Sequence, residues 1–177
     1  MDYKIFKVIN RPAGRYSLLD MLMILISKKV RYLYIFILCL MWFRNNFGRK
    51  VVLNAVKSTV FSLFINILIK CFYFKPRPFI KRRIGILIPS KTDSSFPSKH
   101  TLLAFAVSIS IFLSKRIIGS IMIGLSMLTG VSRIWVGHHY PSDIIGSAFI
   151  GSLIGLAVHK APRFFNPKNV ANKNSNK

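Results

Sequence analysis

Three short segments carry residues able to do chemistry. They are Lys70–Pro78 (KCFYFKPRP), Phe96–Thr101 (FPSKHT) and Ser132–Asp143 (SRIWVGHHYPSD). Among their cations are Lys70, Arg77 and Arg133, and arginine can fork onto phosphate oxygens. His139 and Asp143 are four residues apart, so they can face one another if Asp143 lies on the first turn of a helix. An aspartate near a helix N-terminus is comfortable ionised and can fix the tautomer of a neighbouring imidazole. That is a nucleophile with its orienting group, although on residue chemistry alone His138 is as good a nucleophile as His139. His100, on another segment, suits a general acid. A cage of cations around two separated histidines fits phosphoryl transfer, in which positioning and charge neutralisation are most of the task. A metal held by His100, one of the paired histidines and Asp143 has suitable ligand types. It would sit among three cations with one carboxylate nearby, which is poor electrostatics, so no metal or cofactor is expected.

The elements that must position these residues are apolar. Of 177 residues, 52% are hydrophobic, yet the chain has 27 Lys+Arg, 4 Asp+Glu and a formal charge of +23. A basic disordered tail would not be this apolar, and a soluble domain would not expose so few acids around so much Ile, Leu and Phe. Runs at 30–43, 51–69, 101–114, 117–136 and 144–158 are apolar all round rather than on one stripe. Bilayer crossings need about 20 residues, which several runs reach with their flanks. The expectation is an all-α polytopic membrane helix bundle of five or six transmembrane helices, forming one domain over residues 1–177. Basicity alone suggests nucleic-acid binding; the apolar runs argue against it, so the expected surroundings are a lipid bilayer and no nucleic acid.

Finer features leave alternatives open. Leu18–Ile26, with Asp20 inside it and Lys28-Lys29 behind it, reads as part of a span from Pro12, an interfacial helix, or the first half of a bent helix reaching Phe43. Gly151-Ser152-Leu153-Ile154-Gly155 permits close helix approach, or reflects the frequency of glycine in membrane helices. Cys39 and Cys71 read as buried small hydrophobes rather than half-disulfides. Lys81-Arg82-Arg83 suits attraction to anionic headgroups, and 162–177 reads as a flexible tail.

In order and spacing, the three segments resemble the motifs of the phosphatidic acid phosphatase type 2 superfamily of membrane phosphatases. Lys70 through Arg77-Pro78 matches K-x6-R-P. Pro97-Ser98-Lys99-His100 matches P-S-G-H, with lysine at the usual glycine. Ser132-Arg133, His139 and Asp143 match S-R-x5-H-x3-D. The motif core is 70–143, and within the superfamily the chain looks like the bacterial undecaprenyl-diphosphatases of the bacitracin-resistance type. The resemblance implies that His139 attacks phosphorus to form a phosphohistidine, oriented by Asp143. It also implies that His100 protonates the leaving group and that Lys70, Arg77, Arg133 and Ser98 hold phosphoryl oxygens. Lys99 and Ser132 are possible additions. No metal is implied, and the substrate would be a polyprenyl diphosphate lipid. Phosphatidate or phosphatidylglycerophosphate is the alternative on the same chemistry.

Two crossings separate the Lys70 loop from the Arg133 loop, so all three segments can converge at one membrane face. With that face outside a bacterial inner membrane, the C-terminus is cytoplasmic. Six spans then place fifteen of the basic residues inside and twelve outside; five spans place eleven inside and sixteen outside. The positive-inside rule favours six.

Overall fold

A computed structural model describes residues 2–82, 86–89 and 92–165. Seven helices follow in order: α1 (Asp2–Asn10), α2 (Ser17–Arg44), α3 (Asn46–Phe72), α4 (Pro78–Arg82), α5 (Lys99–Phe112), α6 (Arg116–Trp135) and α7 (Pro141–Phe165). Three of them, Asn46–Phe72, Arg116–Trp135 and Pro141–Ala161, are long and apolar enough to cross a membrane. The 28-residue α2 is long enough, about 42 Å at 1.5 Å per residue, but Lys28, Lys29 and Arg31 lie midway along it. The separate span over Leu18–Ile26 that a six-span count requires is absent: Leu18 to Phe43 lies within one continuous helix.

The 14-residue α5 is the axis of the bundle, packed against α3, α6 and α7. It is short because the preceding segment descends into the protein, where Ser94, Ser95, Pro97 and Ser98 are buried. Irregular backbone can sit inside a bundle when protein groups satisfy it: Asn66 donates to the Pro97 carbonyl, and Ser147 Oγ accepts the Ser98 N–H (2.7 Å). Midway along the bundle, buried Tyr34 joins α2 to α5 and α6. Its hydroxyl donates to the Met122 carbonyl (2.7 Å) and meets the hydroxyls of Ser126 and Ser108.

Close approach explains the paired glycines. A Cβ on Gly151 would lie 2.4 Å from the Leu102 carbonyl oxygen, and one on Gly155 would lie 2.6 Å from that of Ala106. The small-residue pattern is therefore the α5–α7 contact itself. Gly124 differs, having nothing within 4 Å of the added atom. Gly151→Val should separate the two helices and cost about 1–3 kcal/mol, lowering the melting temperature in detergent by roughly 2–12 °C. Gly124→Val should change stability by less than about 0.5 kcal/mol, and thermal unfolding of the two variants side by side checks both.

The outer surface is apolar, with Leu18, Phe43, Phe72 and Ile117 among its exposed side chains. Cys39 and Cys71 are free and also exposed, contrary to the expected burial. A surface solvated by lipid places small hydrophobes outside as readily as inside. Of the expected tail, 162–165 continue α7, whereas 166–177 lie outside the described residues, as does Arg83 of the basic run.

Helix α1 covers the end of the bundle where α6 stops and α7 starts. Buried Phe6 packs on Tyr140, with ring centroids 5.8 Å apart, and Asn10 Nδ2 donates to the Trp135 carbonyl (2.6 Å). Asp20, at the start of α2, accepts from Trp135 Nε1 (2.8 Å).

Candidate active site

The end of α3, the descending segment before α5, and the α6–α7 turn meet at this covered end. Each is built by local rules. Helix α6 ends in a Schellman arrangement: Gly137 N–H donates to the Ile134 carbonyl and His138 N–H to the Arg133 carbonyl. Gly137 has φ +84°, a conformation that glycine adopts without penalty. Helix α7 then starts with Pro141 in its first position. Tyr140 caps it, and Asp143 Oδ2 reaches back to accept the Tyr140 N–H (2.9 Å). The histidine pair is thus held between a helix stop and a helix start.

His139 is 2% exposed, and its Nδ1 lies 2.7 Å from the Ser95 carbonyl oxygen. A carbonyl can only accept, so Nδ1 carries the proton and Nε2 keeps the lone pair. Burial first, then the charges of Arg133 and Arg77, push the imidazole pKa well below its usual value, outweighing the Ser95 hydrogen bond. His139 is therefore in its nucleophilic form at neutral pH.

His138 is committed elsewhere. Its Nε2–H donates to the Ile88 carbonyl (2.8 Å), and its ring lies beside Phe79. Burial, then Arg133, moves its pKa to about 4. His159 is on α7, eighteen residues beyond Pro141 and away from this end.

Asp143 is 0% exposed. Its Oδ1 accepts from Lys75 Nζ (2.6 Å), while its Oδ2 accepts from Ser95 Oγ as well as from Tyr140. Oδ2 lies 4.0 Å from His139 Nδ1, so the hydrogen bond that orients the ring comes from the Ser95 carbonyl. Ser95 thus contacts both His139 and Asp143.

The expected phosphate-gripping residues are arranged unequally. Lys70 Nζ and Arg77 Nη2 each lie 2.7 Å from a carboxylate oxygen of Asp93, and Arg77 Nη1 donates to the His138 carbonyl (3.4 Å). Burial pushes the Asp93 carboxyl pKa up, but hydrogen bonds and charges from Lys70 and Arg77 outweigh it and hold it below the usual range. Arg133 is 8% exposed; its Nη1 donates to Ser27 Oγ (2.7 Å), and its Nε has no hydrogen-bond partner among the described residues. A buried, unpaired guanidinium N–H is costly unless a ligand takes it up.

His100 occupies the second position of α5, within electrostatic reach of Arg133, Arg31, Lys99 and His138. Lys99 is the first residue of that helix and exposed, so no glycine-only backbone is required there. Ser98 is fully buried, its hydroxyl against Thr101 (3.1 Å). Ser132 Oγ donates back to the Thr129 carbonyl (2.7 Å) within its own helix. Among the described residues, no three His, Cys, Asp or Glu side chains form a metal-ligand group.

Ser95, Lys75, Asp93 and Asn66 are the site's neighbours that the motif reading did not name. Lys75 could have been noticed between Lys70 and Arg77, and Asp93 as one of only four acids. The Ser95 carbonyl is backbone and carries no sequence signal.

This arrangement coincides with a family match: residues 51–167 fit the profile of the PAP2 superfamily. The chain belongs to the PAP2 superfamily. It is similar to "Undecaprenyl-diphosphatase BcrC" of Bacillus subtilis, 43% identical over 88% of this chain and 81% of that protein. It is also similar to "Bacitracin transport permease protein BcrC" of Bacillus licheniformis, 31% identical over 86% of this chain and 76% of that protein. Among solved structures, Aquifex aeolicus LpxE superposes with TM-score 0.76 at 27% identity, covering 90% of this chain and 94% of that one. The PAP2 chain is thus a multi-pass membrane phosphatase with an all-α bundle fold.

Proposed function

We propose that the protein hydrolyses undecaprenyl diphosphate to undecaprenyl phosphate and inorganic phosphate, recycling a cell-wall lipid carrier and so counteracting bacitracin. The observation that carries the chemistry is His139, held at Nδ1 by the Ser95 carbonyl and within electrostatic reach of Arg133. The likeness to the Bacillus subtilis undecaprenyl-diphosphatase supports the choice of lipid.

His139 Nε2 attacks the terminal phosphorus. The bond from that phosphorus to the bridging oxygen breaks, its electron pair stays on the lipid phosphate, and His100 gives that oxygen a proton. Lys70, Arg77 and Arg133, with Ser98 and the N-terminus of α5, hold the phosphoryl oxygens. The ring becomes cationic when the P–N bond forms, and the Asp143 carboxylate 4.0 Å away stabilises that charge. Water then attacks the phosphohistidine, its proton passes to His100, and the P–N electron pair returns to Nε2.

The membrane arrangement belongs to the same reading. α2, α3, α5, α6 and α7 make five crossings, which leaves the N-terminus on the active face, where Asp2 contacts Ser142. That face is extracytoplasmic and the C-terminal tail cytoplasmic, in a single domain of 177 residues. Purified full-length protein should release phosphate from undecaprenyl diphosphate at least about tenfold faster than from phosphatidate or phosphatidylglycerophosphate presented in the same detergent. Faster turnover of either alternative lipid would overturn the substrate assignment.

A further inference from the structure

Lys75 lies between the two basic residues of the first motif, and the catalytic steps above do not use it. Its backbone and side chain hold the two supports of His139. On the backbone, Ser95 N–H donates to the Lys75 carbonyl (2.7 Å), and Lys75 N–H donates to Ser94 Oγ (3.1 Å). This ties down the segment whose carbonyl orients the ring. On the side chain, Nζ donates to Asp143 Oδ1 (2.6 Å) and to Ser142 Oγ (2.8 Å), and it lies 3.5 Å from Asp2 Oδ2 and 4.9 Å from the centre of the Tyr140 ring. An ammonium has three donors and no orientation of its own, so these oxygens and the ring face fix where it sits.

We propose that Lys75 is a positioning residue for phosphoryl transfer, its ammonium locking one oxygen of the Asp143 carboxylate while Ser95 and the Tyr140 N–H lock the other. The carboxylate then cannot rotate away from His139. Burial alone would lower the Lys75 pKa, but Asp143 and then Asp2 outweigh it and raise it, so the clamp stays charged. Asp2 contributes from α1 and also accepts the Ser142 N–H (3.0 Å), which gives the N-terminal helix an indirect hold on the same carboxylate.

The proposal rests on His139 being the nucleophile, so Lys75→Met, Lys75→Gln and Lys75→Arg are assayed beside His139→Asn in the full-length protein. Lys75→Met is expected to lower kcat about tenfold to a hundredfold, the usual size for an outer partner of a reacting group, with KM changed less than about threefold. Phosphoenzyme formation should slow in step, and Lys75→Arg should restore most of the rate. If Lys75→Met does not fold, Lys75→Gln gives the same reading. Wild-type kcat in the uncharged variants, or no recovery in Lys75→Arg, overturns the clamp. Phosphoenzyme in His139→Asn overturns the catalytic reading instead, which keeps the two failures apart.

Discussion

Replacing His139 by alanine should abolish turnover, with a fall in kcat of at least about ten-thousandfold, as expected when the group that forms the covalent bond is lost. Rapid alkaline quenching of protein mixed with labelled substrate should trap a phosphohistidine in the wild type and none in the variant. The residue is buried, so alanine also leaves a cavity and strands the Ser95 carbonyl. Asparagine separates these effects, because its amide N–H can still donate to Ser95 while no ring nitrogen remains to attack. His139→Asn should keep the wild-type elution profile and come within a few degrees of its melting temperature, yet remain inactive. Turnover retained in that folded variant would remove His139 from the mechanism and, with it, the reason for the surrounding cations.

The second large effect is expected at Arg133. Deleting one donor to a developing oxyanion commonly costs a hundredfold to a thousandfold in kcat. Arg133→Ala should fall in that range when phosphate release is measured at saturating substrate. Arg133→Lys should recover only part of it, since a lysine presents a point charge where the guanidinium presents a fork. The same side chain ties α6 to α2 through Ser27, so a packing explanation must be separated from a chemical one. Ser27→Ala removes the tie and leaves the guanidinium, and it should cost less than about tenfold. Equal losses in Ser27→Ala and Arg133→Ala would mean that Arg133 acts by bracing the helices.

The side chains to which the proposed reaction is assigned were legible because each is of unusual type at the end of an apolar run. His100, His139, Asp143 and Arg133 stand out against Ile, Leu and Phe, and two crossings between loops are enough to bring them to one face. The number of spans and the side of the N-terminus were left open in the sequence for a physical reason. The positive-inside count treats every Lys and Arg alike, yet Lys70, Lys75, Arg77 and Arg133 are engaged with Asp93, Asp143 and Ser27. Cations placed by local partners report little about orientation, so the count does not decide between five and six spans. Hydropathy adds to the ambiguity, since Lys28, Lys29 and Arg31 interrupt a helix that is nonetheless continuous. The immediate partner of the His139 ring was out of reach altogether, being a peptide carbonyl.

Asp93 gives the unliganded site a property that a count of its cations would miss. With 45% of its side chain exposed, it already occupies donors of both Lys70 and Arg77. In the reaction proposed above, a phosphoryl group gripped by Lys70 and Arg77 therefore has to displace a carboxylate rather than fill a bare positive pocket. The affinity it gains at these two residues is the difference between a phosphoryl group and a carboxylate, not the full attraction of two cations. On the same reading the exchange runs in reverse after hydrolysis, with the carboxylate taking back the donors that inorganic phosphate leaves. An enzyme built this way sacrifices tight ground-state binding and is spared a product trap.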